Sequence, residues 1–310
     1  MGTIAIVFPG QGSQRAGMAL DFYERFAASR HVFAEASDAL GLDISALCFN
    51  EDPRLDLTEF TQPAILTTEI AMLRALEGEF GLAATVFGGH SLGEYTALCA
   101  AGAIPLDVAV RLVRRRGALM QAAVPPGDGA MVAVRGTGVA FLDFAASLDA
   151  IGVDVANVNS PDQVVLSGPA SSMDRACAMV AELASGLVLD LVPLLVSAPF
   201  HSRRMRVVES DFRVALAEVA PSFDAVRAAV VPSNLRGGFH TGELDALLDA
   251  LERQISGRVD WMANMRALVT RADRIIEVGP GRPLRGFFKS MGVEIASIVS
   301  CKTAERAIAA

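Results

Sequence analysis

Short apolar runs alternate with longer stretches of helical spacing along most of this chain. Thr3 to Phe8 is a compact β-rich run that ends in Pro9-Gly10-Gln11-Gly12-Ser13-Gln14, a polar loop whose glycines let backbone amides come close to a ligand. From Leu20 to Leu47, and again from Thr61 to Phe80, apolar residues recur every three or four positions, predicting core-packing helices, the second capped by Thr61 ahead of Pro63. Ala83 to Phe87 predicts a second strand, and Leu106 to Ala122 another helix carrying arginines at 111, 114, 115 and 116. A turn cluster at 125–129 changes the rhythm. Short β-rich runs at 130–134, 153–157 and 163–168 then alternate with helices, and Leu187 to Val196 predicts a closing strand. Arg274 to Val278 is a further apolar strand, ending in Gly279-Pro280-Gly281.

The β-α-β-β-α-β order between 127 and 195 predicts a small ferredoxin-like α+β subdomain. It is inserted into a larger α/β domain formed by residues 1–126 and 196–310. The 310 residues, 52% hydrophobic and 20% charged, suffice for a large core and are too apolar for disorder.

A net charge of −8 argues against nucleic acid as a partner, because phosphate backbones are held by clustered cations. Cys48, Cys99, Cys177 and Cys301 lie far apart with no CxxC pair, which excludes a zinc knuckle or redox motif and suggests reduced thiols of a cytoplasmic protein. The apolar start lacks a basic n-region and reads as a buried strand, not a signal peptide; no apolar run reaches membrane-spanning length without interruption.

Gly89-His90-Ser91-Leu92-Gly93 matches G-x-S-x-G between a predicted strand and helix, the setting in which this motif presents a nucleophile. The following helix aims its N-terminal amides at a developing oxyanion, with Leu92 N–H as one donor. A serine needs a base, and the chain has four histidines. His90 adjoins Ser91 and is expected to support the turn; His31 lies on a polar helix face and His240 in a glycine-rich loop. His201 follows a strand and a loop stiffened by Pro199, where parallel α/β folds present catalytic groups, and is preferred.

Taken together, Phe8 to Gln14, Gly89 to Glu94, Arg116-Gly117 near Met120-Gln121, Asn159-Ser160-Pro161 with Gln163-Val164-Val165, Pro199 to Ser202 and Glu277 to Gly281 resemble the malonyl-CoA:acyl carrier protein transacylase family, over nearly the whole chain. The resemblance implies an α/β-hydrolase-like core with a parallel sheet and a Ser91–His201 dyad. It also implies an oxyanion hole from Gln11 and Leu92, Arg116 as ligand of the malonyl carboxylate, and Gln254 as a supporting polar residue. His90 and Phe200 join the substrate-lining set, Phe200 narrowing the pocket in favour of malonyl over methylmalonyl groups. No permanently bound cofactor or metal is implied. Malonyl-CoA is the substrate, and phosphopantetheine arrives on an acidic acyl carrier protein, which Arg203, Arg204 and Arg206 could help to dock. The protein is expected to act as a monomer. The same dyad would serve a thioester hydrolase of carrier-bound acyl chains, which gains nothing from Arg116, or the malonyl transferase subunit of a malonate decarboxylase.

Overall fold

The computed structural model describes residues 2–309. One four-stranded sheet has the order β10-β9-β1-β2, formed by Ala296–Ile298, Arg274–Val278, Ile4–Phe8 and Val86–Gly89, all parallel. A parallel sheet must be covered on both faces, and its central strand β1 is apolar along its length: Ala5, Ile6, Val7 and Phe8 are wholly buried. Ile6 and Phe8 join the core beneath the helices Ala27–Leu40, Thr58–Phe80 and Leu106–Ala122; Ala5 and Val7 face Trp261, Leu268 and Phe288. The result is an α/β-hydrolase-like core.

A second sheet is antiparallel, in the order β4-β5-β3-β6, from Asp154–Ser160, Gln163–Pro169, Gly129–Arg135 and Asp190–Pro193. Its order is that of a ferredoxin-like unit, with helices Ala145–Asp149 and Ala170–Leu183 as the two crossovers. It has its own apolar cluster around Val134, Val153, Leu166 and Val180. The antiparallel sheet is also bonded to the segment just before the helix Trp261–Val269: Val259 N donates to Ala156 O at 2.8 Å, and Val158 N to Val259 O at 2.9 Å. A hairpin of two-residue strands, β7 (Pro232–Ser233) with β8 (Gly238–Phe239), lies beside β2 of the parallel sheet.

Several expected elements take different bounds. The 20–47 stretch is three helices, because Phe26 adopts an extended conformation (φ −120°, ψ 130°) and Gly41 a left-handed one (φ 58°). Thr61 is not a cap: the helix starts at Thr58, and the Thr61 hydroxyl donates back to the carbonyls of Leu55 and Leu57. Pro63 therefore sits inside the helix near its start. β2 starts at Val86, three residues after the predicted start, because it pairs with β1 through Gly89 opposite Phe8. Of 187–196 only Asp190–Pro193 is strand, the part opposite β3; Leu195 at its end is fully exposed.

Candidate active site

Ser91 stands between β2 and the helix Leu92–Ala100 with φ 53° and ψ −104°, a sharp turn that lifts its hydroxyl clear of the sheet. The turn depends on bare backbone. A Cβ on Gly89 would lie 1.9 Å from Gly93 O, and one on Gly93 2.4 Å from Phe8 O. Among the described non-glycine residues only Ala19, Ser91 and His201 have positive φ. Strain of this kind persists where surrounding contacts over-determine it, and here it coincides with the two residues that meet.

They meet directly: Ser91 Oγ lies 2.7 Å from His201 Nε2. His201 Nδ1 lies 2.8 Å from Gln254 O. A carbonyl can only accept, so the proton of the neutral ring sits on Nδ1 and the Nε2 lone pair faces the serine hydroxyl. His201 is 5% exposed. Burial, with the positive charge of Arg116 second, pushes its pKa down to about 3, against the backbone acceptors that favour the charged form. The imidazole is thus held neutral, with its Nε2 lone pair toward Ser91.

Arg116 is 1% exposed. Its Nη1 donates to Gln62 Oε1 at 2.9 Å, its Nη2 to Gln254 Oε1 at 2.8 Å, and Nη2 stands 3.5 Å from Ser91 Oγ. Both strong acceptors are neutral amides, and Nε has no partner at all. The guanidinium also lies over the Tyr95 ring, and it has no carboxylate within hydrogen-bond distance, which leaves donors available to an anionic group. Arg111 is paired in the open with Asp107, on the solvated side of its helix. Arg114 is not merely solvated: it bonds Glu59 and Leu40 O and lies over the Phe60 ring, fastening its helix to its neighbours.

Gln11 lies in the loop after β1, where a Cβ on the preceding Gly10 would be 2.5 Å from His90 O. The β1 and β2 loops therefore touch beside Ser91. The Gln11 side chain donates to Thr58 Oγ1 at 3.1 Å, and Thr58 in turn meets Ser197 Oγ at 3.0 Å on the His201 loop. Among the described contacts neither Gln11 N nor Leu92 N donates to the protein. His90 Nε2 pairs with Asn159 Oδ1 at 2.8 Å, and its ring packs edge-on to Trp261. Phe200 is buried beside His201 within the main apolar cluster. Arg203 is engaged by Asp149 and Asp154, and so is not free for docking; Arg206 is exposed.

Three further residues support the turn, and two of them, Asn234 and His240, lie outside the sequence motifs. Asn234 Oδ1 accepts from Ser91 N at 2.7 Å while its Nδ2 donates to Gly89 O at 2.8 Å, bracketing the turn. Glu94 Oε2 accepts from Asn234 N and from Gln254 Nε2, and its Oε1 lies 2.9 Å from His240 Nε2. The loop histidine is a buried pillar of the turn. A charged residue three positions after Ser91 in an alanine-rich helix was the available signal for Glu94.

A family model described as acyl transferase domain matches residues 5–272. Malonyl CoA-acyl carrier protein transacylase of Escherichia coli (strain K12) is 39% identical over 297 residues, covering 93% of each chain. The protein of that name from Bacillus subtilis (strain 168) is 37% identical over 305 residues, 96% of this chain and 93% of that one. The solved malonyl CoA-acyl carrier protein transacylase of Coxiella burnetii superposes with a TM-score of 0.90 at 34% identity, covering 99% of this chain and 97% of that one. The malonyl-transacylase PlMCAT, solved with the type II PKS acyl-carrier protein AntF, superposes with a TM-score of 0.88 at 33% identity, covering 99% of both chains.

Proposed function

This chain belongs to the malonyl-CoA:acyl carrier protein transacylase family, and we propose that it moves a malonyl group from coenzyme A to the phosphopantetheine thiol of an acyl carrier protein through an acyl-Ser91 intermediate. The observation that carries this reading is Arg116, a buried cation held by neutral amides beside the nucleophile. A free carboxylate on the acyl group supplies the missing anion, and a planar guanidinium matches it bidentately.

His201 Nε2 takes the proton of Ser91 Oγ as the oxygen attacks the thioester carbonyl. The oxyanion forms against the N–H groups of Leu92 and Gln11. Collapse expels the CoA sulfur, which leaves with the proton from His201. The carrier thiol then gives its proton to the same nitrogen and attacks the acyl-serine, and collapse returns the proton to Ser91 Oγ. Gln254 O keeps the imidazole in the tautomer that both halves need. No third acid enters; the carbonyl takes that place. Phe200 flanks the acyl group, and His90 fixes the elbow through Asn159.

The unit 127–195 forms one wall of the site, and the protein works as a monomer in the cytoplasm on an acidic carrier. A hydrolase of neutral acyl chains would have no use for Arg116. The direct test is intact-protein mass spectrometry after brief exposure to malonyl-CoA or acetyl-CoA. Malonyl should accumulate on the wild type and not on Ser91→Ala; loading of neutral acyl groups followed by rapid hydrolysis would overturn the transferase reading.

A further inference from the structure

Strand β4 of the antiparallel sheet contacts the segments that carry both halves of the dyad. At its C-terminal end, Asn159 Oδ1 pairs with His90 Nε2 at 2.8 Å, and His90 directly precedes Ser91. In its middle, Ala156 and Val158 exchange backbone bonds with Val259, five residues after Gln254, whose carbonyl orients His201. At its N-terminal end, Asp154 holds Arg203, two residues after His201. That last contact is the densest: Arg203 N donates to Asp154 Oδ2 at 2.8 Å, Nε to Oδ1 at 3.0 Å, and Nη2 to Oδ1 at 2.6 Å. Asp149, ending the preceding helix, takes Nη2 as well, at 2.6 Å.

A single exposed ion pair adds little stability, but this one combines a forked guanidinium with a backbone N–H on a carboxylate that is 23% exposed. It grips the chain next to a histidine whose φ is 56°, a conformation that local sequence does not favour. On the same loop, Pro199 packs so closely on Gly129 that a Cβ there would lie 2.2 Å from its Cδ. The His201 loop is thus registered against the antiparallel sheet on both sides of the histidine.

We propose that Asp154 and Arg203 are positioning residues for the dyad, with β4 acting as the common strut that sets His201 against Ser91. The inference rests on the reading of Ser91 as nucleophile and His201 as its base. It replaces carrier docking as the role of Arg203.

The test is single-turnover acylation of Ser91, read by intact mass, in wild type, Asp154→Asn and Arg203→Lys. A parallel reading takes the rate at which a small sulfonyl fluoride labels Ser91, which needs the dyad and neither CoA nor Arg116. Displacement of a catalytic group by a fraction of an ångström to 1 Å predicts that Asp154→Asn lowers both saturating rates by between about 10- and 100-fold. The malonyl-CoA concentration at half-saturation should stay the same, and Arg203→Lys, which keeps the charge but loses the fork, should fall between. If Asp154→Asn does not fold, Arg203→Lys decides alone. Unchanged saturating rates in a folded variant, or a loss seen only in half-saturation by malonyl-CoA or carrier, overturn the proposal. Failure of the underlying functional reading looks different: the wild type then takes no malonyl group on Ser91.

Discussion

Arg116 Nη2 stands 3.5 Å from Ser91 Oγ, so the cation reaches the serine hydroxyl without being bonded strongly to it. Its strong bonds go to Gln62 and Gln254, which aim it. An acyl carboxylate would gain charge-assisted bonds of about 3 kcal/mol, or roughly 100-fold in rate. Arg116→Ala is therefore expected to cut kcat/KM for malonyl-CoA acylation by that factor while leaving acetyl-CoA nearly unchanged. The ratio of initial loading rates checks this, and an equal loss for both substrates would remove the carboxylate role.

The pH dependence follows from the burial of His201. With its pKa pushed down to about 3, the imidazole is already a free base throughout the neutral range. The pH profile of kcat/KM for acylation should therefore be flat from pH 8 down to pH 5. An acid limb centred near the ordinary histidine value of about 6.5 would contradict it.

The same shift has a stability consequence. Below about pH 6.5 the unfolded chain binds a proton at His201 that the folded chain refuses, so stability falls as pH drops from there toward about 3. Between pH 7 and pH 5 this costs the wild type about 2 kcal/mol. His201→Ala should lose correspondingly less over that interval, measured by urea unfolding at both pH values.

Asn234 satisfies one donor and one acceptor of the nucleophile turn. Asn234→Ala leaves both buried without partners, at a cost of about 2–4 kcal/mol. A lowered urea midpoint, together with slower acylation, is expected; a midpoint equal to wild type would mean that the turn holds without it.

The legible parts of the sequence were those where one short segment carries its own signal. β9 and the helix Leu106–Ala122 fall where the periodicity places them. Ser91 is announced by glycines that the turn physically requires. The breaks at Phe26 and Gly41 were illegible, because apolar spacing continues across them while the backbone turns. Asn234 and His240, and the role of Glu94 at the end of its motif, were not legible for a related reason: each is an ordinary polar residue in its own segment, and only the fold brings them beneath one turn. Arg116 could be separated from its neighbouring arginines only through the family resemblance, since burial distinguishes it and sequence does not show burial.

The positive φ at Ser91 sets chemistry and durability against each other. Glycine would adopt that conformation freely, so Ser91→Gly removes the strain along with the hydroxyl and is expected to melt above both Ser91→Ala and the wild type. Selection for heat resistance alone would drift toward a dead protein, so a thermal screen of this chain must be coupled to turnover. The same substitution would provide a hardy, unreactive bait for capturing a carrier in the act of docking.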